Sequence, residues 1–596
     1  MTKKIITIGG AAGAWGDSSL ATAQLLASEK LDYIVYEALA EVTMAILARA
    51  KMRNPNAGYA IDFIDPVLKT HLREIRRQGI RVVTNAGGIN PQAAANAVRQ
   101  FAKEQGIELK VSVVEGDNLM PQLDTLRSAD IREMAHNTPL PERTLAMNAY
   151  LGAFPIAKAL DDGADVVITG RVVDSALMLA PCIHEFGWGA TEYDKLAQGS
   201  LVGHLLECGP QSTGGLLTDW EDVESWLNMG YPIAEVSADS SFILTKADGT
   251  DGIVNHASVT EQILYEIGNP RAYILPDVIC DFADVQLGEA GENRIRVQGA
   301  KGNPPPPTYK ACTLEVDGYR VFSTVLLTGH EAVRKAERVG EAIFERVRRA
   351  FAVNGWEDFR ETSLEVLGGE SQFGPHSQAR QAREVVLKMA AHHNNKEALT
   401  FFAREVPSSA LSMAQSIIGF AAGIPRPVPY IRVHSMLVPR DFVEITIDDL
   451  RFTSPSVTYS DLKKLADLTL GESAALVNRQ SKIANPTTVP LRQIAYGRSG
   501  DKGNICNVGI VARQPEFLPI LEETLTAEAV KTYLAHLVKG NVERFALPGL
   551  NAFNFVMHDA LGGGGTASLR YDPLGKGMAQ ILLEMPIDMP NGTDPP

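Results

Sequence analysis

Five short apolar runs, IITI (5–8), DYIVYE (32–37), RVVTNAG (81–87), LKVSVVEG (109–116) and DVVITG (165–170), alternate with helical periods such as SSLATAQLLASEK and PQAAANAVRQFAKEQ. Strand-like runs separated by whole helices need crossover connections, which predicts α/β architecture with a doubly wound, mostly parallel sheet. The chain then enters each strand from the same side. The segments that close the runs, GGAAGAWGD (9–17), NAGGINP (85–91), EGDNL (115–119) and TGRVVDS (169–175), are expected along one edge, where such sheets bind their ligands.

From about residue 235 the pattern changes. FILTKADG, VICDFADVQL, IRVQGAKG, KACTLEVDG and YRVFSTVLLTG follow one another without long helices, and Asp-Gly at 248–249, 251–252 and 317–318 marks turns, so an α+β region with antiparallel strands is predicted. Pro304 to Pro307 make a stiff connection. Helices are expected near 330–352, 377–393 and 408–422, then closing strands at IRVHSMLV and FVEITIDDL. The expected division is 1–234, a parallel α/β domain carrying the active-site loops; 235–477, an α+β domain; 478–490, a polar linker; and 491–596, a small α+β C-terminal domain.

With 596 residues the chain is too long for one core, and a net charge of -15 argues against nucleic acid or an anionic membrane as partner. MTKKIITIGG lacks the apolar stretch of a signal peptide and no run approaches a bilayer span, so a cytoplasmic location is expected. The five cysteines are scattered, with no CxxC pair, and indicate neither a disulfide framework nor a zinc knuckle.

The glycine turn reads GG-x-x-G-x-x-G, a partial match to a dinucleotide fingerprint, with Glu37 at a plausible distance for a ribose hydroxyl. No Lys-Ser/Thr pair ends it, which excludes a Walker loop; Asp17 or Ser18 stands there as an N-cap. Either the glycines permit a tight bend and close packing, or the amides of Gly9, Gly10 and Gly13 hold an anionic or carbonyl group. Asn85, with Gly87 and Gly88, can orient a carbonyl or cap the next helix. Glu115 and Asp117 can bind a divalent ion, divide acid and base duties, or lie in a solvated turn. Arg171 suits a substrate carboxylate, with Asp174 as its partner or its neutraliser. His204, Glu207 and Cys208 fall on one helix face, where a Cys/His nucleophile or a metal can sit, but no second cluster matches them and no metal is indicated. His376, His392 and His393 are weaker candidates, and no G-x-S-x-G is present. RSGDKGN gathers Arg498, Asp501, Lys502 and Asn504, as a tight loop held by its own Arg-Asp pair or as a closure over an anionic ligand; LGGGG (561–565) is a second glycine seam.

The opening strand with its glycine turn, NAGGINP, ADVVITGRVVDSAL and YGRSGDKGNICNVGI together resemble the acyclic terpene utilisation protein A (AtuA) family over nearly the whole chain. The resemblance implies a large body followed by a small ferredoxin-like domain. It also implies a place in bacterial citronellol and geraniol catabolism through acyl-CoA intermediates: lyase cleavage of a branched 3-hydroxyglutaryl-type CoA thioester with release of acetate, or the related hydratase step. On that reading Glu115 or Asp117 is the base, Asn85 and the glycine amides hold the developing oxyanion, and Arg171 takes the distal carboxylate. The partner is a small acyl-CoA, CoA enters only as part of the substrate, no other cofactor is expected, and a homo-oligomer is expected from the frequency of closed symmetry. Two other readings stand beside it: a nucleotide-dependent enzyme with Glu37 on a ribose, and a non-catalytic assembly or regulatory subunit.

Overall fold

The computed structural model describes residues 5–17, 19–28, 31–420, 423–460 and 487–590. The strands of the N-terminal region are β1 (Ile5–Gly13), β2 (Tyr33–Glu37), β3 (Arg81–Thr84), β4 (Val111–Glu115), β5 (Thr144–Ala149) and β6 (Val166–Thr169), followed by β7 (Pro232–Ser237) and β8 (Phe242–Lys246). The five runs expected as strands are β1, β2, β3, β4 and β6. They pair in parallel in the order β1-β2-β3-β6-β4. Successive residues bury against opposite layers: Ile34, Val82, Val113 and Ile168 pack with Leu25, Leu72 and Val98, while Val35, Val83, Val114 and Val167 pack with Ile156, Leu177 and Leu201. Helices on both faces therefore explain why these strands are continuously apolar.

Antiparallel strands extend this sheet to eleven. Gln286–Gly291, Arg294–Gln298, β8 and β7 lie outside β1, and Thr446–Ile447 and Leu450–Arg451 lie outside β4. The sheet thus crosses the expected boundary at residue 234. A second sheet is organised by a 21-residue strand, Thr308–Thr328, which pairs with Glu384–His393 along one half, with Val428–Pro439 along the other, and with β5. The expected turn at Asp317–Gly318 lies inside this strand, where the register against Val428–Pro439 shifts between Val316 and Tyr319. With partners on both sides, the dipeptide makes a bulge, and Gly318 takes φ +84°.

Helix Ala332–Asn354 forms as expected. The helix expected over 377–393 is instead strand Glu384–His393, in which Val385, Leu387 and Met389 are buried at a period of two. Over 408–422 only a short helix, Ser409–Ser412, and strand Ile417–Gly419 form, and 421–422 lie outside the described residues. The linker expected at 478–490 lies outside them up to residue 486, while Thr487–Pro490 pairs with Pro586–Met589.

The C-terminal region is a four-stranded antiparallel sheet ordered Ala495–Lys502, Ile505–Ala512, Ala552–Met557, Val542–Leu547. One face carries Val508, Ile510, Phe553 and Phe555 into a core of its own. Val511 and Ala552 join the core of the body. Polar clasps complete the docking: Asn507 Nδ2 donates to Leu264 O at 2.7 Å, Asn554 Nδ2 to Ile267 O at 3.0 Å, and Arg513 holds Asp219 through both terminal nitrogens. Among the described residues, no helix is long and apolar enough to cross a membrane.

Candidate functional site

The parallel register aligns Gly13 with Glu37, Tyr36 with Thr84, Thr84 with Ile168, and Val114 with Thr169. Gly13, Glu37, Asn85, Glu115 and Arg171 therefore stand at, or one or two residues beyond, the same ends of neighbouring strands. This is the common edge the sequence predicts, but its two sides are built differently.

At the β1 side the glycines are consumed by packing. β1 runs through Gly13, so Gly9 and Gly10 are strand residues, paired with Ile34 and Val35, and a bulge falls between Gly10 and Ala12. A Cβ on Gly10 would stand 2.7 Å from Leu206 O, and one on Gly13 would stand 2.5 Å from the carbonyl carbon of Cys208. Gly13 N donates to Asp17 Oδ2 at 2.9 Å, and Tyr231 donates its hydroxyl to Asp17 Oδ1 at 2.7 Å. The space beside Gly9 is taken by the side chains of Leu25 and Leu31 and that beside Gly10 and Gly13 by this chain's own backbone, so close approach is what the glycines serve. Asp17 caps this turn rather than a helix, since the first helix is Ala21–Ala27; Ser18 lies outside the described residues. Gly87 and Gly88 are similar: a Cβ would meet Thr169 O at 2.4 Å or Gly58 O at 2.8 Å. Glu37 is buried, and its Oε1 accepts from Leu39 N at 2.6 Å and Asn85 Nδ2 at 3.1 Å, so it braces the neighbouring loop. Asn85 spends its oxygen on Ala38 N.

At the β6 side the edge is charged. Arg171 follows β6 and is almost fully buried; its Nη1 donates to Asp174 Oδ1 at 2.6 Å and to Leu39 O at 3.0 Å, and its Cζ lies 4.3 Å from the centre of the Tyr150 ring. Nε has no hydrogen-bond partner. Asp117 sets the backbone here, taking Arg171 N at 2.9 Å and Asn148 Nδ2 at 2.8 Å on Oδ2, and Gly170 is the residue that leaves room for its carboxylate. Burial raises the Asp117 carboxyl to about 6. Tyr150 donates to Glu41 Oε1 at 2.5 Å, and Lys310 Nζ stands 4.0 Å from the same oxygen. Burial would raise Glu41, but Lys310 and Arg171 outweigh it and hold the carboxyl at about 2. Glu37, by contrast, is pushed well up by burial and then by Asp174. About a third of Glu41 and of Lys310 remains exposed, 34% each, so these two reach solvent while Arg171 sits behind them.

The C-terminal hairpin closes on the same region. Arg498, Asp501 and Lys502 belong to strand Ala495–Lys502, and only Gly503–Asn504 separate it from the next strand. The expected Arg-Asp pair within the motif does not form: Arg498 donates to Leu216 O at 2.9 Å and to the side chain of Gln211. Lys502 Nζ donates to Glu266 Oε2 at 2.6 Å, and Lys576 donates to Glu266 Oε1 at 2.8 Å. Lys502 also lies close enough to Glu41 to add to the pull of Lys310 and Arg171, while Glu207 stays raised by burial despite it. Asn504 is structural, accepting from Leu561 N and Gly563 N and donating to Asp559, which ties down the second glycine seam.

Of the remaining candidates, His204 and Glu207 stay together, with Nδ1 3.4 Å from Oε1, while the others separate. Glu115 accepts from Gln92 at 2.7 Å, away from the partners of Asp117. His204 is buried, with Nε2 on Ile263 O at 3.2 Å and its ring against Tyr273 and Phe282. Burial, then Glu207 and Glu266, pushes the Cys208 thiol well above its ordinary range, the opposite direction from an activated nucleophile. His376 Nε2 donates to Tyr533 O, His392 Nε2 to Asp317 O and His393 Nε2 to Glu357 O, each contact serving the fold. Among the described residues no group of three or more His, Cys, Asp or Glu is placed to hold a metal ion. Nothing in the local sequence marks Glu41, Tyr150, Lys310, Glu266 or Lys576.

The family model described as acyclic terpene utilisation family protein AtuA matches residues 6–448, and that described as AtuA ferredoxin-like domain matches residues 489–588. No curated protein matches the chain.

Proposed function

The chain belongs to the AtuA family of acyclic terpene utilisation, and on that premise we propose that it is an enzyme cleaving a branched 3-hydroxyglutaryl-type CoA thioester with release of acetate. In that reaction a base takes the 3-hydroxyl proton and the C3–O bond becomes a carbonyl. The bond from C3 to the carboxymethyl carbon breaks, and its electron pair leaves with the acetate unit, which a proton then quenches. The departing fragment carries the charge, so the step needs a fixed cation more than a strong base.

The observation that carries this reading is the group formed by Glu41, Tyr150, Lys310 and Arg171, drawn from helix Glu41–Arg53, strand Thr308–Thr328 and the segments after β5 and β6 to one sheet edge. Lys310 is the exposed cation suited to the substrate's free carboxylate. Arg171, buried behind it with Asp174, Tyr150 and Leu39 O around it, acts as a positioning residue that keeps Glu41 ionised, and the Glu41 carboxylate and the Tyr150 ring in turn hold Lys310. This assignment moves the distal carboxylate from Arg171 to Lys310. Asp117 accepts from Arg171 N and Asn148, and Glu115 from Gln92, and this reading gives both the task of shaping the edge in place of proton transfer.

The test is incubation of the full-length protein with such a thioester, following acetate and the shortened 3-oxoacyl-CoA by mass. Lys310→Met should lower kcat by about 100-fold or more. Absence of acetate with the unaltered protein overturns the reading; a gain of water by the related enoyl thioester, without acetate, assigns the hydratase step to the same groups.

A further inference from the structure

Two lysines and two carboxylates meet where the C-terminal hairpin touches the body, and they share unequally. Glu266 takes both ammonium groups, Lys502 at 2.6 Å and Lys576 at 2.8 Å. Asp501 is left with one long contact, 3.5 Å to Lys576 Nζ, and is 18% exposed, neither sealed nor free. Its strand is pinned against the body at two points. A Cβ on the preceding Gly500 would meet Glu266 Cγ at 2.5 Å, and one on Gly509, in the neighbouring strand, would meet Leu264 Cβ at 2.5 Å. The hairpin thus lies directly on the end of helix His256–Leu264 with no room to slide.

Resting on the reading above, we infer that Asp501 is the proton-exchanging residue of the site, a catalytic carboxyl supplied to the body by the C-terminal domain, with Lys576 and Glu266 as its positioning partners. The groups that face it are Lys576 from the loop after Asp572, Glu266 beyond helix His256–Leu264, Lys502 on its own strand, Cys506 opposite, and Glu41 on helix Glu41–Arg53. Burial and then Glu266 raise the Asp501 carboxyl to about 7, while Lys502 and Lys576 drive Glu266 well down despite its burial. Neighbouring carboxyls forced apart in this way divide the work: one stays ionised as a fixed charge and the other exchanges a proton at neutral pH. In the cleavage step Asp501 takes the 3-hydroxyl proton and returns it to the departing acetate carbon, so the carboxyl is unchanged over one turnover.

The experiment is titration calorimetry of the full-length protein with 3-hydroxy-3-methylglutaryl-CoA near pH 7 in two buffers of different ionisation heat, alongside turnover of the same compound. Binding should exchange roughly half a proton, as expected for a group half-titrated at that pH. Asp501→Asn should abolish that exchange, keep affinity within about 3-fold and lower kcat by about 100-fold, with partial rescue by Asp501→Glu. Lys576→Met, which leaves Lys502 on Glu266, should move the midpoint of proton exchange to higher pH. Undiminished proton exchange in Asp501→Asn, or an unmoved midpoint in Lys576→Met, overturns the inference while the substrate reading stands. Absence of any binding heat with the unaltered protein overturns the substrate reading and this inference with it.

Discussion

The glycine seam after β1 and the Arg171 centre after β6 lie on one edge of one sheet, yet they are filled by opposite means. At the seam, Leu206 O and the Cys208 backbone occupy the space the missing side chains leave. At the centre, a buried guanidinium is surrounded by Glu37, Glu41 and Asp174, and its Nε is unsatisfied. Glycine density thus marks where backbones touch, whereas a buried charge cluster with an unsatisfied donor marks where a ligand has something to gain.

Substitutions on the two sides should separate these roles. The largest effect is expected at Arg171→Met, which strips the buried carboxylates of their cation; a loss of about 3–5 kcal/mol in denaturant unfolding is expected, with turnover lost in the folded fraction. Asp117→Asn comes next. Because burial raises this carboxyl to about 6, the fold prefers its protonated form, so its contribution is full below about pH 4 and is lost as pH rises through 6. Relative to the unaltered protein, the variant should gain up to about 3 kcal/mol between pH 4 and pH 7, at about 1.4 kcal/mol per pH unit. A flat difference across that range would show that Asp117 is ionised without cost. Gly13→Ala should destabilise by about 1–3 kcal/mol through overpacking against Cys208, with KM and kcat of the folded enzyme unchanged; a selective rise in KM would return the seam to ligand binding. Asn504→Ala should cost about 1–2 kcal/mol in melting experiments, from the amides of Leu561 and Gly563 it leaves unpaired, and should leave the site's proton exchange intact.

Much of this contrast is legible in the sequence, and the part that is not has a physical cause. Each parallel strand announces itself because both faces are covered, giving unbroken runs such as Val166–Thr169, and Arg171 and Asp117 stand conspicuously at their ends. Tyr150 and Lys310 do not, because β5 and Thr308–Thr328 meet across more than 160 residues and no local pattern records that pairing. Glu41 reads as an ordinary first-turn acid of a helix until Lys310 is placed beside it. The RSGDKGN segment is polar enough to look like a loop. It is strand nearly to its end because its polar side chains bond to the body, Arg498 to Leu216 O and Lys502 to Glu266, in place of solvent. Glu41, held at about 2, contributes stability that is present above its ordinary value near 4.5 and lost as pH falls toward 2. Solvent screening over its exposed third keeps that contribution small.

Amide hydrogen exchange of the full-length protein with and without 3-hydroxy-3-methylglutaryl-CoA tests most directly where the ligand sits. Slowed exchange is predicted at Leu39–Glu41, Tyr150, Arg171–Asp174 and the hairpin around Asp501, with Ala11–Asp17 unaffected. Slowing confined to Ala11–Asp17, with the Arg171 centre and the hairpin unmoved, would contradict it.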